Sequence, residues 1–436
     1  MRRAGVGLVG TLLLATALAV CFVGTHAAAA DVTLTYSDWH LAEDVWGKSL
    51  NQALDEFEKQ NPGIKVQREP VALAQRDVKF TTAIRAGKGP DVFSLDSNPV
   101  KLYIQEGWVK DLAPFIEKEG GKKWLDDFYP ISLQPLTEQG KVYGVPVNTL
   151  AMVYLMNKEM FKAANAKLPK SWNDFREVSK TLTRATQPGG PVDQWGTTLV
   201  MAQACFDLRF SVVLRGFGGD FLTPDQKRSA LNTLEAKQAF TFIVDMILND
   251  RSMPPGVAQV DCTAARRLFA NKKVAMVIGT MFDPSIINGM NPKLDTWNVI
   301  EMIPVPQKAG AKSPIRSTLY QKSIFMNANT QHPEEAWKLL KYLTDEKRGR
   351  KWWDDSQLPS SRKSVNETYA PIKQNRFAQV VISEIPHATF LPLIPQWPEI
   401  LETFRQALQA AVAGSKRPER ALEDAHNQIE SILARK

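Results

Sequence analysis

The sequence predicts an α/β protein of two lobes, each a mainly parallel sheet flanked by helices. Three observations lead there. The chain has 436 residues, more than one compact core usually serves, so two lobes are the natural division. Strand-like and helix-like segments alternate along it, which is the rhythm of a parallel sheet covered by helices. The strands also run into knots of small polar residues, as they do where strand ends open on a crevice.

The N-terminus stands apart. Arg2 and Arg3 precede the uncharged run "VGLVGTLLLATALAV", and Ala28-x-Ala30 before Asp31 has the spacing of a signal-peptidase site. Residues 1–30 are expected to be a signal peptide, removed on export to the periplasm. A retained membrane anchor is the alternative, since about twenty apolar residues span a bilayer. Lipidation at Cys21 fits poorly, because Val20 is bulky where a small residue is wanted.

The elements then follow in order. "VTLTYS" (Val32 to Ser37) reads as a strand, and the next segment carries Leu50, Leu54 and Phe57 at helical spacing before breaking at Asn61-Pro62-Gly63. "IKVQREPV" is strand-like. A helix through Thr81 to Arg85 leads to Gly87 and Gly89, and "DVFSLDSNPV" is a buried strand tipped by Asp96, Ser97 and Asn98. Far along the chain, Lys272 to Ser285 is a buried strand entering a polar turn, and Trp297 to Pro306 is a strand stopped by proline. Pro333 suits a first helical turn, with Ala336, Leu339, Leu340 and Leu343 as its apolar stripe. Two amphipathic helices separated by Gly414 close the chain.

Charge and cysteine content narrow the function. The formal net charge is +8, or +6 once Arg2 and Arg3 are lost, and the charges are scattered rather than striped. Runs such as "EKRGRK" look like solvated helix faces, so no nucleic-acid partner is expected. Cys205 and Cys262 are the cysteines beyond the leader. In an oxidising compartment such a pair is a candidate disulfide; two separate buried thiols are the alternative. The Cys/His spacings of metal sites are absent, and neither metal nor cofactor is expected.

No reaction centre stands out. His40, His332, His387 and His426 form no H-E-x-x-H pair, and there is no G-x-S-x-G elbow or phosphate-binding loop. Asp126-Asp127 and Asp354-Asp355 are sequence neighbours, whose side chains diverge. A glycosidase built on two distant carboxylates stays open as an alternative. Binding is the stronger expectation. At the strand tip, Asp96, Ser97 and Asn98 either face a crevice or simply cap a turn. Aromatic residues recur beside such turns: Trp39 and His40 in "YSDWHL", Phe282 in "GTMFDPS", Trp397 in "IPQWPEI". Rings pack on the C–H faces of sugars, and Asp, Asn and Arg meet their hydroxyls.

In its order of motifs the chain resembles the extracellular solute-binding proteins, family 1, of ABC importers, to which maltose-binding protein belongs. The fragments are "LDEFEKQNPGIKVQ", "IRAGKGPDVF", "QEGWVKDLAPF", "GKVYGVPVNTLAMVYLMNKEMF", "LPKSWNDFREVSKTLT", "ARRLFANKKVAMVIGTMFD", "HPEEAWKLLKYLTDE" and "LPSSRKS". The resemblance implies a type II periplasmic binding protein fold, monomeric, closing on a small solute and docking on permease subunits. It implies lobe one at 31–147 plus 319–357 and lobe two at 148–318 plus 358–436. It implies ligand contacts at Trp39, His40, Asp96, Ser97 and Asn98, at Asn148 on the hinge strand, and at Phe206, Arg209, Phe282 and Trp397 in the second lobe. Where many members have a glycine pair this chain reads "SPIRSTLYQK", which brings Arg316 and Tyr320 into consideration. The expected solute is a carbohydrate. Arg209 and Arg316 leave room for a glycerophosphodiester, because guanidinium matches phosphate bidentately, and a polyamine receptor of the same fold is the remaining variant.

Overall fold

The computed structural model describes residues 32–202, 205–311 and 313–435. The expected signal peptide, its anchor alternative and Cys21 lie outside them.

Among the described residues twelve strands form three sheets. In chain order they are β1 (Val32–Asp38), β2 (Ile64–Pro70), β3 (Val92–Asp96), β4 (Thr137–Glu138), β5 (Lys141–Val142), β6 (Gly144–Ala151), β7 (Val153–Asn157), β8 (Trp195–Thr197), β9 (Val274–Gly279), β10 (Ile300–Ile303), β11 (Ser317–Met326) and β12 (Ala388–Thr389). The first sheet runs β12-β11-β3-β1-β2, with β6 also on β11; the second runs β10-β7-β9-β8; β4 and β5 make a hairpin.

The helix expected after β1 spans Asp44–Gln60 and buries Leu50, Leu54 and Phe57 on the first sheet. β9 is buried at all six positions, the mark of a strand covered on both faces. The segment expected as one strand from Trp297 divides into a helical turn, Thr296–Val299, and β10, because Asp295 caps the turn through Asn298 N. The late helices are Pro333–Thr344, Trp397–Val412 and Pro418–Leu433. Separate apolar cores serve the two halves. One gathers Leu34, Leu54, Val66, Ile324 and Leu340. The other gathers Tyr154, Trp172, Phe210, Phe240, Phe404 and Ile429.

Both sheets are mixed rather than mainly parallel. β1 pairs in parallel with β2 and β3, as the βαβ rhythm requires. β11 pairs antiparallel with β3 and β6, and in the second sheet β7 pairs antiparallel with β9 and β10. The antiparallel pairs involve the strands that pass between lobes: β6 and β11 form one ribbon, and β6 continues through Met152 into β7.

That ribbon sets the site. Lys322 on β11 is opposite Asp96 on β3 and opposite Asn148 on β6, so the three stand on one rung. Residues directly opposite in a sheet share a face. The register shifts between Lys322 and Ser323, leaving Val147 unpaired in the ladder, and such bulges re-aim neighbouring side chains.

Candidate functional site: the cleft between the lobes

The first-lobe wall is built on buried charge. Asp38 ends β1 and is fully buried, and Lys322 Nζ lies 2.7 Å from its Oδ2 and 2.9 Å from Oδ1. Tyr36 Oη and Ser94 Oγ also donate to Oδ2, at 2.6 and 2.8 Å. Burial opposes ionisation of Asp38, but the Lys322 ammonium beside it holds the carboxyl down at about 2. Burial likewise lowers Lys322. His40 Nδ1 is 2.7 Å from Lys322 Nζ. An ammonium only donates, so Nδ1 accepts and the proton of the neutral ring is on Nε2. Burial, with Lys322 next to it, brings His40 down to about 3.

Asp96 extends the wall. Arg76, only 2% exposed, places Nη1 3.0 Å from Asp96 Oδ2 and Nε 2.7 Å from Asp77 Oδ1. The main-chain N–H of Asn98 donates to Asp96 Oδ1 at 3.2 Å, so the acid orders the turn and faces the cleft together.

The second-lobe wall comes from three helix N-termini. The helix Phe206–Gly216 carries Asp207 and Arg209 in its first turn, Cys262–Ala270 carries Arg266, and Asp283–Met290 begins with Asp283. Arg266 Nε donates to Asp283 Oδ1 at 2.6 Å, and Arg209 Nη2 is 3.9 Å from the same oxygen. Burial lowers Arg209 to about 10, and its Nε has no partner. A disulfide joins Cys205 to Cys262, with Cα atoms 6.1 Å apart, and so ties two of these helix starts together.

The walls meet. Asn98 Nδ2 lies 3.5 Å from Asp207 Oδ2. Burial, with Asp96 a lesser influence, raises the Asp207 carboxyl to about 6. Rings form a line across the gap: His40 to Trp46 at 5.0 Å between centroids, Trp46 to Phe282 at 6.4 Å, Phe282 to Tyr320 at 5.6 Å. Beside them is a small cavity lined by His40, Trp46, Asn148, Lys322, Trp352 and Ser356 among others. Asn148 Oδ1, Trp46 Nε1 and Ser356 Oγ are buried there without a hydrogen-bond partner. Three orphaned polar atoms around one cavity await donors and acceptors from outside the chain.

The expected contacts divide. His40, Asp96, Asn98, Asn148, Arg209, Phe282 and Tyr320 gather around this cleft, and Ser97 is buried beside them. Four others are corrected. Trp39 is 2% exposed and its ring is already covered, by Arg76 at 4.9 Å and Lys322 at 4.6 Å, so it supports the wall rather than offering a face. Phe206 packs in the second core against Phe210 and Phe404. Trp397 packs on Phe221 in the same core. Arg316 forms a fork with Glu384, its Nε 3.1 Å from Oε2, so the guanidinium that suggested a phosphorylated solute is engaged elsewhere. Sequence reasoning missed Asp38, Glu43, Trp46, Arg76, Asp207, Arg266, Asp283 and Lys322. "YSDWHLAEDVWG", a strand end followed by acids and a second tryptophan, was the available signal for three of them.

Among the described residues no helix is long and apolar enough to cross a membrane, and no group of His, Cys, Asp and Glu is arranged to hold a metal. Two α/β lobes, an interlobe cleft and polar groups waiting on both walls define a binding protein of the two-lobed solute-receptor class. The chain belongs to the bacterial extracellular solute-binding proteins, whose family profile matches residues 43–348. It is 26% identical, over 95% of its length and 96% of the other's, to a protein of Brucella abortus (strain 2308) named as a binding protein. Its fold is similar to an ABC transporter solute-binding protein of Thermotoga lettingae solved with α-D-tagatose, with a TM-score of 0.80, 25% identity, and coverage of 92% of this chain and 100% of that one. It is also similar to the maltose/maltodextrin-binding domain MalE of Bdellovibrio bacteriovorus bound to maltotriose, with a TM-score of 0.76, 25% identity, and coverage of 93% and 100%.

Proposed function

We propose that this chain is the solute-binding component of an ABC importer, exported to the periplasm, that captures a carbohydrate between its lobes and delivers it to membrane permease subunits. One observation carries the reading: polar and aromatic side chains of two different lobes converge on one cleft, with Asn98 opposite Asp207 and Trp46 opposite Phe282. A solute touching both walls is fully gripped only in the closed form, so binding shifts the open–closed balance. Driving a mostly open population to a mostly closed one takes about 5.5 kcal/mol of differential affinity, which one wall alone does not supply.

Alternating donors and acceptors, Arg76 next to Asp96 and Arg266 next to Asp283, suit a rim of hydroxyls. The tagatose and maltotriose held by similar proteins favour the same class. The lobes are assigned as 31–147 with 319–357 and 148–318 with 358–436, acting as a monomer. The solute leaves unaltered, because the cleft's work is hydrogen bonding and stacking rather than bond cleavage.

The test is a calorimetric and thermal-shift panel of sugars and oligosaccharides, maltotriose and tagatose included, with mass spectrometry of the released solute. Stoichiometric binding, an unaltered solute and compaction in solution scattering are expected. Turnover of the sugar, or no response to any carbohydrate, overturns the reading.

A further inference from the structure

The acids of the cleft outnumber the ion pairs that hold them, and one acid left without a cation is Glu43. Lys322 is matched by Asp38, and Arg76 by Asp96 and Asp77. Arg266 and Arg209 share Asp283, and Asp207, two residues before Arg209, accepts from Asn98. Glu43 has no cation at pairing distance. His40 Nε2 lies 3.7 Å from its Oε2, on an uncharged ring, and that buried Oε2 has no hydrogen-bond partner. Lys322 and Arg266 act on it only from further away, opposed by Asp38, and burial holds the carboxyl up at about 7.

The surroundings of Glu43 have a chemical preference. It sits at the start of the ring line: His40 touches it, Trp46 is one turn further along the chain, and Phe282 and Tyr320 complete the row. Aromatic faces beside an acid attract a cation through both the ring quadrupole and the charge. An anionic solute meets the opposite situation, since the basic side chains of both walls already face carboxylates. Asn148 Oδ1, on a residue 3% exposed, and Trp46 Nε1 lie unbonded beside the neighbouring cavity, which His40 and Trp46 also line. They suit the hydroxyls of a molecule that also carries the positive charge.

We propose that the solute carries a protonated amine, as an amino-substituted sugar does, and that its ammonium docks against Glu43 beside the rings of His40, Trp46, Phe282 and Tyr320. The proposal rests on the carbohydrate reading above and narrows it. A neutral sugar at this place donates hydrogen bonds but leaves the half-buried acid, whose Oε2 is itself buried, without a counter-charge.

The experiment is isothermal titration of the mature chain with matched pairs: glucosamine against glucose, galactosamine against galactose, and the glucosamine disaccharide against cellobiose. In at least one pair the amino member should bind about tenfold tighter, a difference of about 1.4 kcal/mol. Glu43→Gln keeps the shape and should reduce that preference to about twofold, with a single cooperative thermal transition and a native circular-dichroism spectrum as the folding control. Trp46→Leu should weaken both members of a pair together. Neutral members binding as well as or better than amino members overturn the amine and leave the carbohydrate reading standing. A preference that survives Glu43→Gln overturns the docking place. No binding by any member, beside no response in the neutral oligosaccharide panel, overturns both.

Discussion

Asn98, at the tip of β3, and Asp207, in the first turn of the helix Phe206–Gly216, meet at 3.5 Å, Nδ2 to Oδ2. Behind Asn98 is Asp96, which orders the turn from the first-lobe side. Asp96→Ala removes that order together with one of the two carboxylates that hold Arg76. Affinity for the solute should fall tenfold or more, about 1.4 kcal/mol at least, while the melting temperature moves little. Calorimetry beside a thermal melt checks it, and unchanged affinity would take Asp96 out of the site.

The two groups of aromatic residues should behave oppositely. Phe282→Ala removes a ring from the cleft and should cost affinity with little loss of stability. Phe206→Ala and Trp397→Ala empty the second core, at about 3–5 kcal/mol each. Denaturant unfolding and titration on the same variants separate the sets. A large affinity loss in a stable Trp397→Ala protein would return that ring to the cleft.

Lys322→Met strands a fully buried carboxylate at Asp38. Breaking one member of such a pair costs about 3–5 kcal/mol. Pairing Lys322→Met with Asp38→Asn should recover part of that loss, because no charge is then left alone. Equal stability of the single and double variants in chemical denaturation would contradict the role given to the pair.

Stability should carry the mark of Glu43. Its carboxyl is raised from an ordinary 4.5 to about 7, so between those values the folded state binds the extra proton and Glu43 subtracts stability as pH rises. Asp207, raised from 3.8 to about 6, acts in the same direction over its lower window. His40, lowered from 6.5 to about 3, works against both, since its protonation favours the unfolded chain as pH falls. Subtracting the melting-temperature profile of Glu43→Gln from that of the native chain isolates the acid. The difference should decline from about pH 4.5 to about pH 7; a flat difference would place Glu43 in water.

The bridge between Cys205 and Cys262 closes a separation of 57 residues, a constraint that in the chain-entropy picture amounts to about 4 kcal/mol. It also fixes the starts of the helices that bear Asp207, Arg209 and Arg266. Replacing both cysteines by serine should lower the melting temperature and weaken solute binding together. Lost stability with unaltered affinity would make the bridge a fold element only.

Much of this was readable in the residues. The strand tip at Asp96 and Asn98 showed itself because a buried strand ending in polar groups has few uses, and the resemblance put Asn148 and Phe282 near it. Trp39 misled because the two cations that cover its ring, Arg76 and Lys322, are far from it in sequence. Phe206 and Trp397 misled because a ring beside a polar turn looks the same whether it faces a cleft or a core. Lys322 could not be seen at all: its meaning depends on Asp38, which lies 284 positions away and meets it only through strand pairing.

The ribbon of β6 and β11 makes one further demand. The β3 side holds β11 at Lys322 to Met326, and β12 holds it at Ser317 and Thr318, so the short span just before Lys322 is held by β6 alone. The residue that reaches into the pocket is thus mounted on the axle itself. If the lobes pivot there, as the proposed function requires, a guest that touches Lys322 loads the pivot directly, and how tightly the protein holds its cargo and how widely it gapes when empty are then set together.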